Sequence, residues 1–216
     1  MKKLTLTTAG TAALLINSIF NPVFSPLFST AFANDKHNGM MVYHITITNA
    51  TTNHVITPPI VIAHNKGFHL FKLGNKNYPA SDGLATLAET GNPAVLADML
   101  SNDSSVSKIE IADFVTPGVP YTVEIIAPRN AQFSVAGMLA TSNDAFTAAI
   151  NLRAPRPHRY HHAMAKTYDA GSEENNEDCA YIPGPPCAPE SGNDNIPGEG
   201  IVTVHNPVIG LSNSNL

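Results

Sequence analysis

Much of this chain shows the pattern of β-strands, in which apolar and polar residues alternate. Tyr43, Ile45 and Ile47 alternate with polar residues, which is the two-residue period of a strand with one buried face. Further short apolar or alternating runs, separated by turn-forming residues, occupy residues 59–64, 106–111, 121–126, 133–139 and 201–205. Strands this short, joined by turns, predict an all-β antiparallel sandwich.

The composition agrees with a folded domain rich in turns. Of the 216 residues 43% are hydrophobic, which is enough for a packed core, and only 13% are charged. Ordinary soluble domains have about 25% charged residues. The low charge density therefore argues against a coiled coil or a charge-laced helical protein.

A helical period interrupts the strands between residues 82 and 100, where apolar residues recur three and four positions apart. Gly91 and Asn92 divide this stretch, so we predict two short helices in the connections between strands. A third short helix is predicted from Asp144, because an Asp ahead of the Ala-rich run 145–151 supplies an N-cap oxygen.

The N-terminus has the pattern of a secretory signal peptide. Lys2 and Lys3 precede a largely apolar stretch at residues 9–28, and residues 31–33 (AFA) have the small-x-small form that signal peptidase accepts. Asn and Pro residues interrupt the apolar stretch. This argues against the alternative, a retained membrane anchor, which needs about 20 apolar residues.

The chain is accordingly predicted to have a signal peptide at 1–33, a polar lead-in at 34–40, one domain at 41–210 and a polar tail at 211–216. Residues 1–33 hold two Lys and no acid, so their removal changes the formal net charge from −5 to −7. We expect a secreted or periplasmic protein without a stable membrane anchor. An acidic domain with no basic patch is not expected to bind nucleic acid.

Both cysteines lie close together, at Cys179 and Cys187. In an exported protein this spacing predicts a disulfide that closes a loop. A zinc site is the weaker alternative, because zinc ribbons use C-x2-C pairs and more ligands.

Acidic residues are concentrated in residues 169–178, which hold five Asp or Glu. Calcium takes six to eight oxygen ligands, and Asp169 and Glu173 are spaced so that a curved loop can aim both at one ion. The EF-hand spacing is absent, however, and composition alone favours a solvated acidic loop.

Five motifs in order along the chain suggest a family. They are YHITITN at 43–49, PPIVIAH at 58–64, ASDGLA at 80–85, MLATSNDAF at 138–146 and YDAGSE at 168–173. Together they resemble the spondin-type domain, the module found in F-spondin and mindin and as a stand-alone secreted protein in bacteria. The resemblance spans about residues 41–210.

This resemblance implies a C2-like β-sandwich with a calcium ion held by loops at one end. The family's ligands are an Asp from an S/P-x-D-x-F motif and two acids from Y-D-A-G-T-D, which correspond here to Asp144, Asp169 and Glu173. Glu173 replaces the family's Asp, and its longer arm changes the reach of that ligand. The resemblance also implies adhesion or recognition through a protein or glycan partner at a surface.

Histidines suggest a second possible metal site. His158, His161 and His162 lie in residues 153–162, predicted as a flexible insertion, and imidazole suits zinc or copper. The alternative function is therefore a periplasmic transition-metal-binding protein. His64 lies at a strand end, where we expect a packed, hydrogen-bonded side chain.

Motifs of the common enzyme classes are missing from the sequence. It has no G-x-S-x-G elbow, no H-E-x-x-H pair and no Walker loop. Ser134 and Ser142 are interpreted as ordinary strand and turn residues. We therefore expect a protein that is not an enzyme.

Overall fold

The computed structural model describes residues 39–175, 182, 184, 187 and 197–205, together with the backbone of residues 27–35. In chain order its elements are β1 (Leu27–Asp35), β2 (Met40–Asn49), β3 (Ile60–His64), α1 (Asp82–Thr90), α2 (Ala94–Ser101), β4 (Val106–Ile111), β5 (Tyr121–Pro128), β6 (Gln132–Met138), β7 (Ala145–Arg153), β8 (His161–Met164), β9 (Lys166–Asp169) and β10 (Thr203–Val204).

The strands form two antiparallel sheets. One has the order β5-β2-β1-β8 and the other the order β10-β9-β7-β6-β3-β4. Between them lies a core in which the rings of Tyr43 (β2) and Phe133 (β6) meet edge to face, with centroids 4.8 Å apart. The predicted all-β sandwich with short helices in its connections is confirmed.

A second core covers the other face of the six-stranded sheet. Leu84 and Leu87 of α1 and Leu96 of α2 pack with Ile60 and Ile62 of β3. β3 is therefore buried on both faces, and all of its residues are buried. This explains why its sequence is a continuous apolar run, because a strand with two covered faces has no solvent side to make polar.

Both predicted helices in residues 82–100 are confirmed. α1 begins after Ser81, whose hydroxyl oxygen accepts a 3.3 Å hydrogen bond from the Leu84 N–H. It ends at Gly91, which has a φ of 70°. These are the expected cap residues at the two ends of a helix.

The predicted helix after Asp144 is wrong. Residues Ala145–Arg153 form β7, which pairs with β6 on one side and β9 on the other. Its first five residues are all buried. Burial in the middle of a sheet outweighs the helix propensity of an Ala-rich run, and Asp144 lies instead in the β6–β7 turn.

Three further strands, β1, β8 and β9, are not indicated by the sequence patterns. β8 contains His161 and His162 and pairs with β1, so the prediction of a flexible insertion is wrong for these two residues. Pairing partners far away in the sequence fix such short strands, and local periodicity does not reveal them.

β1 overlaps the end of the predicted signal peptide. It pairs with β2 from Leu27–Asn49 to Asp35–Met41, and cleavage after Ala33 would remove most of it. Residues 1–26 and the predicted tail at 211–216 lie outside the described part of the chain, and the cleavage stays a prediction. No helix within the described residues is both long and apolar enough to cross a bilayer.

Candidate cation site

Strand pairing brings Asp144 and Asp169 to the same end of the six-stranded sheet. Ala145 pairs with Asp169 in the β7–β9 ladder, so Asp144 lies beside the last residue of β9. The Asp144 carbonyl also accepts a 3.2 Å hydrogen bond from the Ala170 N–H. The register thus places Asp144, from the β6–β7 turn, next to Asp169, the last residue of β9.

The Asp144 carboxylate orders the segment that follows β9. Its Oδ2 accepts hydrogen bonds from the Ser172 N–H at 2.9 Å, the Ser172 hydroxyl at 3.3 Å and the Glu173 N–H at 3.3 Å. The side chain is only 1% exposed. Asp144 therefore caps a loop, and the helix-capping role predicted for it does not occur.

Asp169 is also buried and bonded within this loop. Its Oδ1 accepts a 2.8 Å hydrogen bond from the Gly171 N–H, and its Oδ2 accepts one of 2.6 Å from the Asn175 amide. Gly171 has a φ of +64°, and a Cβ there would lie 2.2 Å from the Ile201 carbonyl oxygen. Only glycine fits this bend, which turns the chain back towards Asp144.

Glu173 completes the set, with 3% of its surface exposed. Three buried side-chain oxygens in the described residues have no hydrogen-bond partner: Thr57 Oγ1, Asn143 Oδ1 and Glu173 Oε1. Asn143 directly precedes Asp144, and the Thr57 N–H bonds the carbonyl of Met138 at the end of β6. The unpartnered oxygens thus gather at the end of the sandwich that holds the acids.

Burial and neighbouring negative charges disfavour ionisation of Asp144 and Glu173. Burial, and then the charge of Asp169, raise the pKa of Asp144 to about 6. Burial, and then the charges of Glu89 and Asp144, raise the pKa of Glu173 to about 7. Near neutral pH the site therefore holds negative charge that is poorly solvated.

No basic side chain contributes to either pKa shift. The ion pair found in the described part of the chain joins Lys108 and Glu110, at 3.0 Å. Both belong to β4, at the opposite edge of the six-stranded sheet from β10 and β9. The buried acids consequently lack a protein cation to balance them among the described residues.

Among the described residues, the side chains that could serve as ligands at this end offer oxygens, which suits a hard cation such as calcium. Within the described residues, no three Asp, Glu, His or Cys side chains are gathered closely enough to hold a metal ion as they stand. Side-chain rotation around the fixed backbone would be needed to close a ligand shell. The unpartnered Glu173 Oε1 is the atom most available for this.

The histidines of the alternative metal site are not brought together. His158 lies in a turn with a φ of 60°, while His161 and His162 are neighbours on β8, where successive side chains point to opposite faces. All three are exposed. His161 Nδ1 lies 3.0 Å from the Arg153 carbonyl oxygen, so part of its binding capacity is already used.

His64 is packed and hydrogen-bonded, as predicted. Its Nε2 lies 2.9 Å from Ser134 Oγ and its Nδ1 2.8 Å from the Asn65 carbonyl, which makes Nδ1 the protonated nitrogen. Ser134 Oγ also accepts a 3.1 Å hydrogen bond from the Asn151 N–H. A cavity of about 500 Å³ opens beside His64, but Ser134 is fully buried and does not line it.

The remaining site predictions fall partly outside the described residues. Cys187 is buried, whereas Cys179 is not described, so the disulfide stays a prediction. Glu177 and Asp178 of the acidic segment are also outside the described part. Glu174 is exposed, which matches the solvated loop that composition alone favours.

No protein-family model matches this chain, and no curated protein is significantly similar to it in sequence. The likeness to the spondin-type domain therefore depends on the five motifs and their order.

Proposed function

We propose that this protein is a secreted, non-enzymatic, calcium-binding domain of the spondin type that acts in adhesion or recognition, with Asp144, Asp169 and Glu173 as calcium ligands. One observation carries the proposal. Three buried carboxylates share one end of the sandwich, without a described basic partner and with an unpartnered oxygen on Glu173. Such an arrangement is stable at neutral pH only if protons or a cation balance the charge.

Calcium suits the chemistry of this end better than other metals. It accepts carboxylate, carbonyl and amide oxygens in flexible geometry, and the acids and amide that the structure describes at this end offer such oxygens. Calcium would supply charge neutralisation and cross-linking of the loops. Asp144 and Asp169 hold the loop backbone through their hydrogen bonds, and Glu173 provides the adjustable arm.

A role in recognition is supported by the position of the site as well as by the motifs. The acids lie at the end of β9 and in the adjoining turns, at one end of the sandwich, and binding residues of such scaffolds are commonly carried on loops. The partner class that we propose is a protein or glycan at a cell surface or in its surroundings.

Thermal unfolding of the chelated protein with added Ca²⁺ tests the calcium site. Calcium at 100 times its Kd should stabilise the wild type by about 2.7 kcal/mol. Asp169→Asn should abolish this response. Glu124→Gln, which removes an exposed acid on β5, is the matched control and should respond like the wild type.

A different response to metals would contradict the calcium proposal. If Ca²⁺ has no effect on the wild type, but Zn²⁺ or Cu²⁺ binds tightly and His161→Ala removes that binding, the calcium proposal is wrong and the histidine site is favoured. Retention of labelled protein on the surface of the producing organism, with and without chelator, tests the recognition role. We expect retention that needs calcium and that Asp169→Asn loses.

A further inference from the structure

A polar cavity lies at the end of the sandwich opposite the buried acids. It opens beside His64, the last residue of β3, and has a volume of about 500 Å³. His64 pairs with Gln132 at the start of β6, whereas the acids lie beyond Met138 at its end. Pockets that hold small molecules commonly have about 300–1,000 Å³, so this cavity has the size of a ligand site.

Three segments of the chain supply the walls of this cavity, namely the residues just after β3, those that lead into β4, and the β5–β6 turn. Backbone hydrogen bonds fix these segments. The Asn65 N–H donates one of 2.8 Å to the Ser105 carbonyl, and the Ala131 N–H donates one of 2.9 Å to the Pro128 carbonyl. The cavity is therefore formed before a ligand enters, which reduces the ordering cost of binding.

Several polar groups in the cavity wall have no partner. Among the described residues, Lys66, Ser104 and Asn130 line the cavity, and their side chains make no hydrogen bond or ion pair. The described lining contains no Asp or Glu. Asp103, next to Ser104 in the chain, accepts hydrogen bonds from the N–H and hydroxyl of Ser105, at 2.8 and 2.6 Å. The positive charge of Lys66 therefore has no acid opposite it in the described wall, and an anionic group is favoured there.

The rest of the lining indicates a ligand rich in hydroxyl groups. None of the described lining residues is Phe, Tyr or Trp, so an apolar ring has no aromatic face to stack on. Ser hydroxyls and Asn amides both donate and accept hydrogen bonds, which matches the hydroxyls of a sugar. The ring nitrogens of His64 are already engaged by Ser134 and the Asn65 carbonyl, which argues against an acid–base role in the cavity.

We propose that this cavity binds a small hydroxylated carboxylate of the sugar-acid class, with the carboxylate at Lys66 and the hydroxyls at Ser104 and Asn130. Such a group is found free and as the acidic unit of a surface glycan. The inference rests on the proposed function for the glycan source, since it names the chemistry of the partner. It also adds a second site, at the other end of the sandwich from the cation site.

Calorimetric titration of the full chain with D-glucuronate tests the inference. D-glucose, which has a hydroxymethyl group in place of the carboxylate, is the matched neutral probe. It should bind at least about ten-fold more weakly, because it cannot form the charged hydrogen bond to Lys66. Lys66→Gln should weaken glucuronate binding by a similar factor. Lys76→Gln, which removes an exposed lysine outside the cavity, should change the Kd less than about two-fold.

A second variant tests the cavity without altering its charge. Asn130→Ala removes one amide and should weaken glucuronate binding about three-fold. Lys66 and Asn130 are both exposed, so each variant should keep the wild-type melting temperature. Absence of saturable glucuronate binding by the wild type would overturn this inference. Equal effects of Lys66→Gln and Lys76→Gln would overturn it as well, since they would show unspecific attraction to positive charge.

Two comparisons identify the source of the ligand and separate this inference from the cation site. If glucuronate displaces labelled wild-type protein from the surface of the producing organism, and Lys66→Gln is not retained there, the ligand is a glycan unit. Glucuronate binding without such displacement indicates a free sugar acid. We expect equal glucuronate binding in chelator and in Ca²⁺. Thermal unfolding without a response to Ca²⁺ would overturn the proposed calcium site and leave the cavity proposal standing.

Discussion

The two ends of β6 each have a buried polar cluster, and only one of them is complete. At the first residue, Gln132 pairs with His64, whose ring nitrogens lie at hydrogen-bonding distance from Ser134 Oγ and the Asn65 carbonyl. Beyond the last residue, Met138, lie acids that include an unpartnered Glu173 oxygen. The first cluster needs nothing more, whereas the second has unused capacity for a ligand.

The difference shows why burial of a polar group does not by itself identify a functional site. His64 and Ser134 are both fully buried, yet their hydrogen bonds offset the loss of solvation. The acids lie equally deep but repel one another. Unbalanced charge, rather than depth, therefore distinguishes the candidate site.

The largest loss of stability is expected from a change to the backbone near the buried acids. Gly171→Ala should destabilise the protein by about 2–4 kcal/mol, because the new Cβ meets the Ile201 carbonyl and the positive φ is unfavourable. Gly200→Ala shares the positive φ but meets no atom within 4 Å, and should cost about 1 kcal/mol. Chemical denaturation measures both. Equal losses would show that the close approach is unimportant.

Disrupting the His64–Ser134 cluster should destabilise the protein less than Gly171→Ala does, and the loss of stability should not depend on calcium. Ser134→Ala leaves His64 Nε2 and the Asn151 N–H without their partner, at a cost of about 1–3 kcal/mol. Denaturation with and without Ca²⁺ should give the same loss. If calcium restored the stability lost in Ser134→Ala, the two clusters would be energetically coupled and the comparison would be contradicted.

Removing a charge from the acidic cluster should, in contrast, stabilise the protein when no calcium is present. The folded-state pKa of Glu173 is raised to about 7 from 4.5, so stability linked to this group is lost as the pH rises from about 4.5 through 7. In chelator at pH 8, Glu173→Gln should therefore stabilise the fold by about 1–2 kcal/mol. In saturating Ca²⁺ it should destabilise it. Melting curves in the two buffers show whether Glu173→Gln stabilises or destabilises the protein.

The smallest effect is the pH response of the complete cluster. Burial, opposed by the hydrogen bond to Asn65 and aided by the charge of His69, lowers the pKa of His64 in the folded state. The stability it contributes is present above the unfolded pKa of about 6.5 and is lost as the pH falls below that value. His64→Gln should flatten the pH dependence of the free energy of unfolding below about pH 6.5. An unchanged slope would show that His64 does not titrate in this range.

The sequence predicts those parts of the fold whose burial pattern is local. β2 alternates because one face is buried, and α1 is marked by its Ser81 and Gly91 caps. β7 is misread because both of its faces are covered, which removes the alternation. β1 is hidden by the apolar character that it shares with a signal peptide.

Only those residues of the candidate site that belong to a recognisable motif could be predicted from the sequence. The motifs indicate Asp144, Asp169 and Glu173, and the structure places all three at one end. Thr57 belongs to no such motif, because its contact with Gly91 is tertiary.

The wide sequence separation of the strand pairs has a consequence for the order of folding. His64 and Ser134 are 70 positions apart, so β3 and β6 must close a long loop before their ladder forms, and such topologies fold slowly. The bonds from Ser172 to Asp144 span 28 positions but depend on β7 and β9 already being paired. We expect the contacts of an ion bound there to form after the transition state of folding, so that the ion would prolong the lifetime of the folded state without accelerating its formation.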